Sequence, residues 1–495
     1  MRISRLLILS IFLYLIVLWG LFAYNGGNWL VNFSSVVMMT IVSIIFILIL
    51  IIYPDKHPML LLFIIITFMY FNLRILALIM EPERLYDQFT PASADDMNMA
   101  LIYLCLGIIF SVAGLFVGNR IFPLRRTTLI DNDSERNYLF SQPLVFISGV
   151  LLLAEINVIY TYMVMGLSRH GIDVMNMPTM MKVIYTLTDT DIFLMFFLVV
   201  VLERWSHLSP KIKMLSMFAI IGYVLMRVII SSKAGIYYPV LFWLFYKLSR
   251  ERDFKVNVKK ITMIMLPLFI LAVLSFNVAK QLRQNWMDTI DQEITFESIY
   301  ENLGEKDRFS YLDVLTPLHR LQGIDPLINI INEKGINVDK YINLTNEIKS
   351  FMNLVLPGKP FRVPLTSQSY VIVYGSMDES LYLDYGVYTT YIFTMWGLYY
   401  ALFGAFGGLL GMFFFMLTVT AMYNVFANWN SKYRIFLMFL CIYAAYWNFI
   451  SFGFDFFMDV VCRTLLQGSL FIMLLHIVSA VKRRRSVLLL KKVVR

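Results

Sequence analysis

The chain has 495 residues, of which 59% are apolar and only 15% charged, with a formal net charge of +9. Soluble domains carry about a quarter charged residues, and the mean hydropathy of +0.70 over the whole length places this chain among polytopic membrane proteins. That excludes a soluble enzyme, a nucleic-acid binder and a secreted disulfide scaffold. The three cysteines, Cys105, Cys441 and Cys462, all fall in apolar stretches and match no disulfide framework or zinc spacing.

A membrane-crossing helix needs about 20 apolar residues. In chain order the candidates are 6–23, 36–53, 58–80, 97–119, 143–165, 187–203, 214–231, 234–248, 261–279, 396–424, 435–453 and 460–480. The expected fold is therefore an all-α polytopic membrane protein of about 12 transmembrane helices. The first follows Arg2 and Arg5 without an A-x-A cleavage site, and reads as an uncleaved span. The closely spaced pair 214–231 and 234–248 reads either as two spans or as a re-entrant hairpin. Three regions follow: residues 1–279 with nine helices, a long outer segment 280–395 that is partly helical, and residues 396–495 with three helices and a basic tail.

Basic residues cluster at Arg125 and Arg126, at 250–260 and at 482–485, whereas the short loops of the opposite side hold Arg84, Arg169, Lys182 and Lys233. The positive-inside rule then places both termini in the cytoplasm. Within the long segment, Leu312, Leu315, Leu318, Leu321 and Ile324 recur every three residues, as on an amphipathic helix lying on the core or membrane surface. Pro357, Pro360 and Pro364 mark an irregular stretch. No internal repeat and no paired broken spans point to an inverted-repeat transporter.

Charges inside spans are costly and functional by default. Arg74, Arg227, Arg463 and Glu155 are such charges. They read either as an internal ion pair, Glu155 with one of the arginines, or as arginines near the outer surface that clamp a lipid-linked phosphate through forked hydrogen bonds. Lys233, in Ser231-Ser232-Lys233-Ala234-Gly235, is placed either to meet an anion or to snorkel to headgroups. The long segment carries Lys280, Arg283, Arg308, His319 and Arg320. Histidine is the usual proton carrier near neutral pH, although His319 and Arg320 point about 100° apart on a helix. Arg169-His170 is a second such pair in a shorter loop. Acidic candidates are Asp313, Asp378, Glu379, Asp455 and Asp459. Tyr370, Tyr374, Tyr382, Tyr385, Tyr388 and Tyr391 read as a sugar-stacking groove or as an interfacial aromatic belt. No metal, nucleotide or other cofactor signature is present, so none is expected.

The late long outer segment, the Ser231-to-Gly235 turn, and the stretch 391–411 punctuated by Gly397, Gly404, Gly408 and Gly411 resemble the O-antigen polymerase (Wzy) family. Lys233 stands where that family more often has arginine. The resemblance implies a membrane glycosyltransferase of GT-C-like architecture in the bacterial inner membrane, polymerising oligosaccharide repeat units carried on undecaprenyl pyrophosphate for lipopolysaccharide or another surface polysaccharide. An acceptor hydroxyl attacks the anomeric carbon and the polyprenyl pyrophosphate leaves. The residues expected to hold the leaving diphosphate are Arg227, Lys233, Arg283 and Arg308, with Arg320 in support. His319 is the expected base, with Glu379 or Asp313 as substitutes. The implied partners are the lipid-linked oligosaccharides, membrane lipids and a chain-length regulator protein. The O-antigen ligases share the architecture, and a lipid-linked oligosaccharide flippase is the rival from another class.

Overall fold

A computed structural model of the chain describes residues 2–53, 57–82, 92–124, 190–229, 238–250, 323–332, 337–355, 360–375, 378–380, 394–429 and 434–450, with single positions at 145, 149, 152, 153, 255, 473 and 477. Among these residues the protein is helical, without strands; one isolated bridge pairs Arg2 with Lys255. The helices are α1 (Ile3–Asn25), α2 (Phe33–Ile52), α3 (Pro58–Met80), α4 (Ala94–Ile121), α5 (Thr190–Arg204), α6 (Pro210–Ile229), α7 (Tyr238–Arg250), α8 (Ile324–Ile331), α9 (Val338–Tyr341), α10 (Leu344–Val355), α11 (Thr366–Gly375), α12 (Thr394–Asn428) and α13 (Arg434–Phe449).

Local chemistry sets several of their ends. α2 and α4 open with capping boxes, Asn32 with Ser35 and Ser93 with Asp96, which satisfy orphan N–H groups. The His57 side chain caps α3, and Pro58 fills the first position, where its missing donor costs nothing. α1 ends at Gly26, left-handed at φ 73°.

α1, α2, α3, α4 and α12 are each long and apolar enough to cross a membrane. Their outer faces match that setting: Leu9, Phe12, Leu13 and Ile16 of α1 and Ile44, Leu48, Ile51 and Ile52 of α2 are exposed, as lipid-facing side chains must be. Polar side chains gather instead at the two ends of the bundle. At one end Asn28 donates to the Leu78 carbonyl (2.9 Å), and the Ser35 hydroxyl meets Asn98 (2.8 Å). At the other, Asn424 faces His57 (2.9 Å) and donates to Asn119 (3.0 Å) and to the Phe122 carbonyl (2.7 Å), while Asn119 donates to Tyr53 (2.8 Å). Glu203 of α5 pairs with Arg250 of α7, and rings of α7 pack on α13 through Phe242 and Phe439. The protein is thus a membrane-embedded helical bundle.

The tightest seam joins α4 to α12. Gly107, Gly114 and Gly118 line one face of α4, and a methyl group on Gly114 would stand 2.1 Å from the Phe413 carbonyl oxygen, one on Gly118 2.7 Å from that of Leu417. Small residues that let backbones approach are what drives helix association where no hydrophobic effect operates.

α12 corrects the expectation of one continuous span over 396–424. It covers 35 residues, about 52 Å if straight, far beyond the roughly 30 Å hydrocarbon layer. Gly404, at φ 71° and ψ −176°, breaks it. Beyond the break the chain returns on itself: a methyl group on Gly408 would lie 3.0 Å from the Tyr399 carbonyl, and the Trp396 indole and Met412 sulfur both press on Gly107. In a straight helix Trp396 and Met412 would stand about 24 Å apart. The described residues therefore form a shorter re-entrant arm (394–403) and a longer one (405–428) that meet at Gly404. The tip is exposed, with Phe403 and Phe406 outermost. Only a residue without a Cβ adopts that turn without strain.

The helix of period three expected over 311–331 is described only from Ile324 onward, as α8. Of the two expected placements, on the core or on the membrane surface, the described part takes the core: Ile324, Asp325, Leu327, Ile328, Asn329 and Ile330 are all buried. α6 and α7 are separate helices, and residues 230–237 between them lie outside the described residues. Spans 143–165, 261–279 and 460–480 also lie almost wholly outside them.

The glycine seam predicts an asymmetric substitution pattern. Gly114→Ala forces α4 off α12 and costs about 1–3 kcal/mol, the usual range for overpacking; Gly20→Ala, with nothing within 4 Å, is neutral. Thermal unfolding of the two purified variants in detergent checks this.

Candidate functional site

Four contacts among the described residues help to set α8 into the bundle. Tyr70 lies in a π-helical turn of α3, Phe68–Asn72, where the widened ladder releases carbonyls to outside partners. Its carbonyl accepts the Gly323 N–H (3.3 Å), and the approach leaves no room for a side chain on Gly323, whose Cβ would meet that oxygen at 2.6 Å. The Arg74 guanidinium then grips Asp325 with both prongs, Nε to Oδ1 at 3.0 Å and Nη2 to Oδ2 at 2.6 Å. Asn329 donates to the Tyr370 hydroxyl of α11 (3.1 Å). Ile330 packs on Gly397 of the re-entrant arm.

The Arg74–Asp325 pair is fully enclosed, at 0% and 1% exposure. Arg74 sits six residues before the end of α3 at Met80, about 9 Å into the bundle along the helix. At that depth either charge alone would be strongly destabilising, and forked geometry with two charge-assisted bonds is what makes the pair tolerable. The partner expected for an intramembrane arginine was Glu155, which lies outside the described residues; for Arg74 the partner is Asp325. Because its fork is engaged by a carboxylate, Arg74 is a structural clasp and not a phosphate clamp in this structure. The signal for Asp325 was present in Ile324-Asp325-Pro326, a lone acid inside an apolar run.

Beyond α8 the long segment folds into a small module. Glu347 of α10 accepts from Thr366 at the start of α11. The Asn353 side chain holds both backbone groups of Phe361 in an irregular stretch around Pro360 and Pro364. Tyr370 and Tyr374 of α11 are buried, their rings 4.8 Å apart, so neither offers a face to a sugar. Tyr382, Tyr385, Tyr388 and Tyr391 lie outside the described residues.

Of the residues expected to hold the diphosphate or act as base, Glu379 is the one whose side chain is described; its neighbour Asp378 accepts from the Ser380 N–H (3.0 Å). Glu379 accepts from the Tyr341 hydroxyl at 2.6 Å and from Lys340 Nζ at 3.2 Å. Those contacts, the Tyr341 hydrogen bond first, hold its carboxyl below the usual carboxylate range, with Arg362 adding to the same effect. Lys340 is pushed up by the same two partners, Tyr341 first. Glu379 thus remains ionised to lower pH than a free carboxylate. The contact it makes with α9 is present above the ordinary carboxylate range and is lost as pH falls through the lowered value. Arg227 lies two residues before the end of α6. His319, Asp313, Lys233, Arg283, Arg308 and Arg320 lie outside the described residues, as do Asp455 and Asp459.

No protein family, no curated protein and no solved structure matches the chain.

The clasp makes a distinctive prediction for stability. Arg74→Ala or Asp325→Ala alone costs about 3–5 kcal/mol, because each leaves a buried charge unpaired, whereas Arg74→Met combined with Asp325→Leu recovers most of that loss. Thermal unfolding of the single and double variants in detergent measures it.

Proposed function

We propose that this protein is a bacterial inner-membrane glycosyltransferase that polymerises oligosaccharide repeat units carried on undecaprenyl pyrophosphate. The observation that carries the reading is the docking of α8. Transfer between two lipid-linked substrates requires residues of the long outer segment to work beside residues of the bundle. A buried, forked ion pair supports that arrangement by making the segment part of the bundle. The fuller picture has about twelve crossings, GT-C-like packing, both termini cytoplasmic and a chain-length regulator as partner.

In this mechanism the acceptor hydroxyl attacks the anomeric carbon of the donor, the bond to the pyrophosphate oxygen breaks, and the hydroxyl proton passes to His319. Arg227, Lys233, Arg283 and Arg308, supported by Arg320, stabilise the charge that develops on the departing diphosphate. Glu379 and Asp313 are the substitute bases. Of these, Glu379 is the weaker, since Tyr341 and Lys340 already occupy its carboxylate and a lowered pKa reduces its pull on a proton.

The break at Gly404 favours a second reading. Discontinuous membrane helices with buried ends form substrate sites in transporters, so a lipid-linked oligosaccharide flippase is the alternative.

Deleting the gene and resolving the surface polysaccharide on a gel separates these readings. Polymerase loss collapses a long ladder to a single repeat unit on the lipid A core. Loss of all surface glycan with lipid-linked units accumulating inside marks a flippase. Long chains held on undecaprenyl pyrophosphate mark a ligase. Complementation with His319→Ala then shortens chains severely, in line with the 10²–10⁴-fold worth of a general base, while Glu379→Gln leaves most of the chain length.

A further inference from the structure

We propose that α10 lies in the lipid–water interface of the membrane, on the side where α3 ends, with its apolar face on acyl chains. The helix reverses the pattern of a soluble one, whose apolar stripe faces the core. Leu344 and Ile348 are 48% and 50% exposed, and Phe351 and Met352 are partly exposed; the four fall within about 100° of arc. Glu347, Ser350 and Asn353, centred about 150° away, are buried. The inward face is polar and finds polar partners, Thr366 on Glu347 and the Phe361 backbone on Asn353. Asn343 caps the start of the helix by accepting from the Asn346 N–H (2.9 Å).

Water opposes an outward apolar stripe, because its hydrophobic burial is forgone; acyl chains cover it. The position of α10 points to the same partner. Asn329 stands about one turn, 5.4 Å, beyond Asp325 on α8 and donates to Tyr370. Thr366, about one turn before Tyr370 on α11, donates to Glu347 (2.5 Å). α10 is thereby fastened near Arg74, itself only about 9 Å along α3 from Met80, so its apolar face stands at the margin of the lipid-facing bundle. The charges of the helix fit an anionic lipid surface. Glu347, its one acid, is turned inward, and Lys349, its one base, is partly exposed beside Ile348, where a long apolar stem can carry the ammonium to the headgroups.

Spin labels test the placement on the full-length protein in nanodiscs of phosphatidylethanolamine and phosphatidylglycerol. The label is attached at Leu344→Cys, at Ile348→Cys or, as a lipid-facing reference, at Leu48→Cys of α2, which is exposed on the bundle. The chain's own three cysteines are replaced by alanine. Oxygen concentrates in acyl chains and a nickel chelate stays in water. In the proposed placement oxygen relaxes the labels at 344 and 348 more than the chelate does, as at 48. A stronger effect of the chelate at 344 and 348 shows a water-facing helix and overturns the placement. Labels that neither reagent reaches mark a face covered by another segment of the chain or by a second copy, which overturns it as well. Where the cysteine-substituted chain does not fold, the unaltered protein decides. A lipid with a photoreactive acyl chain then marks residues 344–352 together with α2 if α10 lies in lipid, and α2 without them if it does not.

Discussion

The forked pair between Arg74 and Asp325 is the constraint on which the packing around α8 depends. Two charges buried together about 9 Å along α3 from its end are tolerated only at close range and fixed angle. To meet that geometry α8 must enter the bundle, and its entry is fitted on both sides of the pair. Ahead of it, Gly323 abuts the carbonyl that the π turn of α3 makes available at Tyr70. After it, Asn329 reaches Tyr370, and through α11 the small module of the long segment is held to the same frame. Ile330 meets Gly397, so the re-entrant arm rests on α8 as well.

The second constraint is the glycine face of α4. By bringing α12 to backbone contact at Gly114 and Gly118, it aligns the longer arm with α4. That alignment leaves Gly107 facing the inward-folded shorter arm, where Trp396 fills the space between Phe63, Phe71 and α4. The packing around α4, α8 and α12 thus rests on a lipid-type seam of small residues and the Arg74–Asp325 pair, with amide networks closing the two ends.

Much of this was legible in the sequence. Long apolar runs with few charges gave α1 to α4 closely, because a bilayer enforces helix and length together. Arg74 was legible as an intramembrane charge in need of a partner. Its partner was not, since Asp325 lies 251 residues away in the chain and only the tertiary fold brings them together. The glycines of 397–411 were visible as punctuation, but a glycine-rich apolar stretch reads equally as a close-packed straight span. The break at Gly404 emerges from the packing of Tyr399 on Gly408, which periodicity does not encode. Glu379 was visible as an acid near the outer end, while the phenol and ammonium that hold it ionised come from α9. Tyr370 and Tyr374 read as surface aromatics because their stretch is polar in part, yet α11 turns both into the interior.

The central claim is that α8 is built into the bundle by a buried ion pair. Amide hydrogen exchange of residues 324–331 in the protein reconstituted in lipid tests it most directly. The account predicts exchange as slow as that of α3 and α4, with the same segment becoming fast in Asp325→Ala while α4 remains protected. Exchange in the unaltered protein at the rate of an exposed loop would contradict it.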